Sequence, residues 1–452
     1  MQSIYREYDI RGIFGEELTE DRVKKLGFVL GKEAGGGSKV VAIGYDARTH
    51  SPKLFEYLAS GFNAAGLKVL KIGMCPTPVS YYAGFQDFGG KKPDLTVMIT
   101  GSHNPPEYNG FKITIKNEPF FGEQIYALGR KIESCGEAIA TNAASEEIDA
   151  VKRYIAYMSE QFAPLKGLKT PIAFDIGNGV AAITLAEILK NLQIEAKLMF
   201  PEPDGTFPNH HPDPSEEENL EMLKEEMRKS GYKYGFAFDG DADRIAMLSH
   251  KNNFKGDILS IFLARHIKNP VVIGEVKCSQ VMYDEINKFG KAIMYKTGHS
   301  NLKVKIKETN ASFAAEVSGH LFFNDRYFGY DDAVYAAFRL IELIAQGFDF
   351  DGEAAKLPKV YSTDELKVKT TEDEKFKIID RLREALKTPP ANMPKIRDII
   401  AIDGVRVIYE TGWGLVRASN TTPVLVTRFE ATSEADLAAI QTSLTALLEK
   451  CK

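Results

Sequence analysis

Tryptophan occurs once and cysteine four times in 452 residues. Cys75, Cys135, Cys278 and Cys451 stand far apart with no C-x-x-C pair, which excludes a disulfide framework or a cysteine zinc site and fits a reducing compartment. Long apolar runs are missing as well. No stretch approaches the roughly 18 residues of a membrane span, and MQSIYREYDIRG has neither the basic segment nor the apolar core of a signal peptide. The most apolar helix candidate, VYAAFRLIELIAQGF from Val334, is interrupted by Arg339 and Glu342 at helical spacing and reads as a buried amphipathic helix. Positive charge is not in excess either: 57 Lys and Arg against 62 Asp and Glu leave a net charge of -5, which gives no long-range pull towards nucleic acid or an anionic membrane. Any phosphate must be gripped locally. The remaining composition, 44% hydrophobic and 26% charged, is that of a globular protein, expected to be cytoplasmic.

The chain is about three domain lengths by the usual size of roughly 150 residues. Short β-branched runs alternate with amphipathic ones: VVAIGY from Val40, a helix from about Lys53, LKVLKIG from Leu67, a helix near Tyr81, then DLTVMIT from Asp94. That alternation predicts parallel βαβ units. It restarts with PIAFDIGNG from Pro171 and again with PVVIGEVK from Pro270. After Pro358 the order changes to a strand near Val360, a helix from about Asp373, clustered strands from Ile396 to Ala431 and a closing helix from Glu434, which is α+β order. The expected architecture is three tandem similar α/β domains, 1–149, 150–249 and 250–358, followed by an α+β domain, 359–452.

Four segments carry chemistry. In TVMITGSHNPPEYNGFKITI, Ser102 lies just beyond the carboxyl end of a strand, where parallel sheets bind ligands, with His103 and Lys112 nearby. In FAFDGDADRIAML, Asp239, Asp241 and Asp243 alternate on a tight loop suited to a hard cation. A calcium EF-hand would need glycine at the sixth position and glutamate at the twelfth, where Arg244 and His250 stand, so an oxygen-ligated magnesium site completed by water or phosphate fits better. Arg244 beside a cation site points to an anion there too. In AAEVSGHLFF, Glu316, Ser318 and His320 interrupt an apolar run and offer the donors and acceptors a sugar needs, although a satisfied polar turn reads equally well. In LVRASNTTPVLVTRFE, Arg417, Ser419, Asn420, Thr421 and Thr422 form either a phosphate cradle or an ordinary polar hairpin. Lys296 and His299 in YKTGHSNLK make a lesser fifth candidate.

Together these segments resemble the α-D-phosphohexomutases, in particular the phosphomannomutase/phosphoglucomutase branch. TGSHNPPEYNGFK is similar to that family's phosphoserine loop, DGDADR to its magnesium loop, EVSGH to its sugar-specificity loop and RASNTTP to its phosphate loop, in the same order over the whole chain. Tyr8 and Arg11 in YDIRG, Lys277 in EVKCS, the GHSNLK segment and PDGTFPNHHPDP from Pro203 also match. Ala242 and Ala315 stand where the family often has glycine. The resemblance implies four domains around a central active-site cleft, and reversible conversion of hexose 1-phosphate to hexose 6-phosphate through a 1,6-bisphosphate, which also serves as activator. It implies that Ser102 carries the phosphoryl group and joins Asp239, Asp241 and Asp243 around Mg2+. Arg11 and Arg244 would offset charge, and Lys112, His103 and His299 would be open candidates for proton transfer. Tyr8, Lys277, Glu316, Ser318, His320, Arg417, Ser419, Asn420 and Thr421 would bind substrate. Val317 followed by HLFF looks more like the mannose/glucose branch than a phosphoglucosamine mutase. The expected partners are small phosphosugars, with no nucleic acid or membrane, and the expected state is a monomer. A metal-dependent sugar phosphatase and a non-catalytic sugar-phosphate sensor are the rival readings from other classes.

Overall fold

The computed structural model describes residues 4–37, 39–420 and 422–452. These residues form four sheets, one after another along the chain. The first three repeat one plan. In the first, Val40–Tyr45 is flanked by parallel Lys68–Met74 and Leu95–Ile99, and Tyr108–Ile115 then pairs antiparallel with Leu95–Ile99. In the second, Ile172–Asp175 is flanked by parallel Lys197–Met199 and Tyr234–Phe238, with Ile245–Leu248 antiparallel to the latter. In the third, Val271–Glu275 lies between parallel Lys291–Tyr295 and Phe313–Ala315, and Leu321–Phe323 closes antiparallel. The buried, β-branched and aromatic character of the central strands suits sheets covered on both faces by helices.

The parallel βαβ expectation thus holds for three strands of each sheet, and the fourth strand reverses. Its consequence is positional. Residues 100–107, 239–244 and 316–320 are the same hairpin connection in three successive repeats, each beyond the carboxyl end of a parallel strand. The fourth sheet is antiparallel along Ile396–Ile400, Val405–Tyr409, Gly412–Ala418 and Val424–Ala431, the last two paired as neighbours in sequence. One strand has no signature in the sequence pattern: Ile10–Ile13, which carries Arg11, pairs antiparallel with Tyr108–Ile115.

The first three units share one hydrophobic core, running from Leu70, Tyr82 and Met98 through Phe162, Phe174 and Phe236 to Phe313, Tyr335 and Phe338. The Ala333–Ala345 helix is buried along most of its length, and its Arg339 is paired with Asp325 at 2.8 and 2.9 Å. Among the described residues no helix is long and apolar enough to cross a membrane. The fourth unit has its own core of residues such as Ile379, Val407 and Leu444. It meets the third through Arg406, whose guanidinium lies 3.7 Å from the centre of the Trp413 ring and donates to the carbonyls of Val276 and Cys278, both at 2.7 Å.

Phe162 sits fully buried where the second and third units meet, with ring centroids 5.3 Å from Tyr335 and 5.2 Å from Phe338. Phe162→Ala is expected to destabilise the protein by about 3–5 kcal/mol in urea denaturation. A loss below about 1 kcal/mol would mean that the shared core closes over the cavity.

Candidate active site

Ser102 follows the Leu95–Ile99 strand with φ +48°, a left-handed conformation uncommon outside glycine. Its Oγ donates to Asp239 Oδ2 at 2.8 Å and lies 3.1 Å from His103 Nδ1. The opposing Gly240 permits this approach, since a Cβ there would stand 2.7 Å from the Ser102 carbonyl oxygen. Arg11 donates to Asp9 Oδ2 at 2.8 Å, to the Gly101 carbonyl at 3.2 Å and to Asn104 Oδ1 at 2.6 Å, so it braces the loop as well as supplying charge. Burial, reinforced by Arg244, pushes the His103 imidazole well below its usual range.

Asp239, Asp241 and Asp243 are fully buried, and their ligand oxygens lie within 4.8 Å of one another. Lys112 Nζ donates to Asp241 Oδ2 at 2.7 Å and also pairs with Asp243. Thr77 Oγ1 donates to the same Asp241 oxygen at 2.6 Å. Burial alone would raise Asp241, but Lys112 and Thr77 outweigh it and hold that carboxyl far below the carboxylate range. Asp239 goes the other way, raised by burial and by its two acidic neighbours. Burial would lower Lys112, yet Asp241 and Asp243 raise it, so it stays a cation. The remaining oxygens, Asp241 Oδ1 and Asp243 Oδ1, are buried with no hydrogen-bond partner among the described residues. Orphaned carboxylate oxygens at such a cluster fit an oxygen-ligated divalent cation.

The third hairpin brings in Glu316, Ser318 and His320. Glu316 Oε1 accepts from the Gly298 N–H at 2.6 Å, and Ser318 Oγ donates to its other oxygen at 3.4 Å. His320 Nε2 accepts from Arg244 Nε at 2.9 Å, while its Nδ1 faces Asp331 at 3.0 Å. His299, at the start of the His299–Thr309 helix, lies between Tyr8 and His320 with ring centroids 5.9 and 6.0 Å away, and burial and Lys303 keep it well below the usual imidazole range. Lys296 is exposed and joins none of this.

The fourth unit closes the circle. Tyr8 OH donates to the Thr297 carbonyl at 2.7 Å and accepts from Asn420 Nδ2 at 2.6 Å, tying the first, third and fourth units together. Buried Arg417 donates to Asp403 Oδ2 at 3.0 Å, and buried Lys277 to Glu365 Oε1 at 2.6 Å. Ser419 takes part in the turn with Thr422, Oγ to Oγ1, at 3.0 Å. Thr421 lies outside the described residues. The structure thus places Ser102, His103, Lys112, Arg11, Arg244 and the three aspartates at one focus, with Glu316, Ser318, His320 and His299 beside it. Lys277, Arg417, Ser419 and Asn420 belong to the phosphate-loop side. The sequence reading did not find Thr77, Asp213, Lys303, Asp331, Asp403 or Glu365. Each acts by meeting a partner distant in the chain, which no local spacing marks.

A serine hydroxyl against a buried carboxylate cluster, with Arg244, Glu316, Ser318 and His320 beside it, gathers groups whose chemistry suits a divalent cation and an anionic ligand. Comparison with known proteins gives the family. The chain matches the descriptions phosphoglucomutase/phosphomannomutase alpha/beta/alpha domain I over residues 2–138, domain II over 152–252, domain III over 255–361 and the C-terminal domain over 365–447. It is 41% identical over 448 residues to a phosphomannomutase/phosphoglucomutase of Pseudomonas aeruginosa, covering 97% of this chain and 94% of that protein. It is 38% identical over 467 residues to a phosphoglucomutase of Neisseria meningitidis serogroup A, covering 99% and 97%. A crystal structure of a phosphoglucomutase/phosphomannomutase family protein from Burkholderia thailandensis matches with a TM-score of 0.89 at 36% identity, over 100% of this chain and 98% of that one. The chain belongs to the phosphoglucomutase/phosphomannomutase family.

Lys112 is the group that neutralises Asp241 and Asp243 when no metal is bound. Lys112→Met is therefore expected to destabilise chelator-treated protein by about 3–5 kcal/mol, as breaking a buried ion pair does. Saturating magnesium should return most of that loss in the same denaturation assay. A loss insensitive to magnesium would show that the carboxylates are built for the lysine alone.

Proposed function

We propose that this hexose-phosphate mutase, an isomerase by its family, interconverts the 1- and 6-phosphates of mannose and glucose through a phosphorylated Ser102 and a 1,6-bisphosphate. The observation that carries the reading is the 2.8 Å contact of Ser102 Oγ with Asp239 inside a buried carboxylate cluster that has two orphaned oxygens. Asp239, Asp241, Asp243 and the Ser102 phosphate would hold Mg2+. The cation would supply charge stabilisation to the transferring group, the main requirement of phosphoryl transfer.

The chain's own residues do the rest. When the phosphoryl group leaves Ser102 for the O6 hydroxyl of a hexose 1-phosphate, the P–Oγ bond breaks and a P–O6 bond forms. The O6 proton passes to a base, and the serine oxygen takes one back. His103 Nδ1, 3.1 Å from Ser102 Oγ, is placed for the serine side. His299, whose buried Nδ1 has no hydrogen-bond partner among the described residues, would serve the sugar side. Lys112, paired with Asp241 and Asp243 beside the same focus, would be a further candidate for the proton transfer. Arg244, with Nε tied to His320 and Asp213 3.9 Å from NH1, faces the developing charge. The bisphosphate then turns round and gives its other phosphoryl group to Ser102. Glu316 and Ser318 would read O3 and O4, which mannose and glucose share, so both sugars are accepted and glucosamine phosphates only weakly. Hexose 1,6-bisphosphate serves as activator by restoring phosphate to Ser102. The protein is taken to work on small phosphosugars as a cytoplasmic monomer, without nucleic acid or membrane. Its net charge of -5 gives no long-range pull towards nucleic acid.

Ser102→Ala is expected to fold normally, lose most turnover and lose the phosphate seen by intact-mass analysis. Phosphate found only elsewhere on active enzyme would overturn the assignment. Release of inorganic phosphate in step with sugar turnover would instead favour the phosphatase reading. Arg417 can meet two phosphate oxygens at once. If it clamps the non-reacting phosphate in either orientation, Arg417→Ala weakens 1-phosphate and 6-phosphate substrates alike, by about 1.5–3 kcal/mol or roughly ten- to a hundredfold. Forward and reverse Michaelis constants measured with saturating bisphosphate check this. A defect in one direction only would mean that Arg417 reads the sugar.

A further inference from the structure

Residues 204–209 of PDGTFPNHHPDP have no assigned part in the chemistry, and neither does Arg48 in GYDARTHSP. They meet. The Arg48 side chain is wholly buried, and all five of its guanidinium N–H groups are used. NH2 donates to the carbonyls of Ser102 at 2.9 Å and Asn104 at 2.6 Å, NH1 to those of Pro105 at 2.6 Å and Tyr108 at 3.0 Å, and Nε to Asp46 Oδ2 at 3.2 Å. The same Asp46 oxygen accepts the Gly101 N–H at 3.1 Å. One ion pair of the first unit therefore grips the reactive loop on both sides of Ser102.

The second unit backs this grip. Gly205 packs so closely that a Cβ would stand 2.4 Å from Arg48 Cα, and the Phe207 ring centre lies 5.3 Å from the guanidinium carbon. The 204–209 segment hangs on the turn after the second unit's central strand: Asp204 N donates to the Asn178 carbonyl at 2.9 Å, and Asn209 Nδ2 to Asn178 Oδ1 at 2.7 Å. The neighbouring Gly179 underlies the metal loop, where a Cβ would stand 2.8 Å from the Gly240 carbonyl oxygen. The serine loop and the metal loop thus take their positions from one scaffold.

We propose that Arg48, backed by Gly205 and Phe207, is a positioning residue that sets the register of Ser102 against Asp239 and the cation. This rests on the phosphoserine reading above. A lysine at position 48 keeps the charge but cannot satisfy four carbonyls and a carboxylate at once. Misplacing reacting groups by about 1 Å costs on the order of a hundredfold in rate. The test is Arg48→Lys, assayed for kcat and KM and for the single-turnover transfer of phosphate from hexose 1,6-bisphosphate to Ser102, with thermal unfolding and magnesium binding followed in parallel. Expected are a fall in kcat and transfer rate of about a hundredfold, with KM and magnesium affinity near wild type. Should Arg48→Lys not fold, Phe207→Leu, which removes the ring beside the Arg48 guanidinium, is expected to give the same split in milder form. Wild-type kcat in the folded variant, or activity lost only in proportion to folded protein, overturns the proposal. Wild-type enzyme that never acquires phosphate on Ser102 would overturn the phosphoserine reading, and the positioning role with it.

Discussion

Three carboxylates buried within 4.8 Å of one another are the constraint on which the molecule is arranged. Two like charges about 4 Å apart repel by about 4 kcal/mol even at an effective dielectric constant of 20, so the cluster is tolerable only with compensation. That compensation comes from several parts of the chain. Lys112 and Thr77 reach across from the first unit, Arg244 comes from the second, and His320 of the third has Nδ1 3.6 Å from Asp243 Oδ1. The groups around the carboxylates therefore also join the three units, which share one apolar core.

On this frame one hairpin has been put to three uses. The connection between the last parallel strand and the reversed strand carries Ser102 in the first repeat, Asp239, Asp241 and Asp243 in the second and Glu316, Ser318 and His320 in the third. Because the repeats are equivalent, these loops converge without any long insertion. The fourth unit has a separate core and meets the rest through the small apolar cluster of Val276, Trp413 and Leu415 and through polar contacts of Arg406, Asn420 and the Lys277–Glu365 pair. On the proposed reaction, that division would let three units hold the chemistry still while the fourth grips the far phosphate.

The chemical loops and the strand–helix alternation were legible in the sequence because each is local: Ser102 follows its own apolar strand, and the aspartates alternate within five residues. What could not be read lies in pairings between distant residues. Ile10–Ile13 is a strand because Tyr108–Ile115 offers its edge, a partner nearly a hundred residues away. Arg48 sits in an unremarkable turn, and only folding shows it among four carbonyls. His320 stands beside Glu316 in sequence as a sugar-reading group, yet in the fold it joins Arg244 to Asp331, the latter paired with Lys303 at 2.7 Å. The reversal of each fourth strand also escaped the pattern, since an apolar run after a loop does not reveal its direction.

The central claim is that phosphate moves between Ser102 and sugar and not to water. Enzyme labelled with radioactive phosphate on Ser102, mixed with unlabelled hexose 1-phosphate and magnesium and quenched after one turnover, tests it directly. The account predicts label at the 6-position of the sugar, in bisphosphate and in hexose 6-phosphate, with the serine label depleted to match. Label recovered as inorganic phosphate, or retained on the protein while product forms, would contradict it.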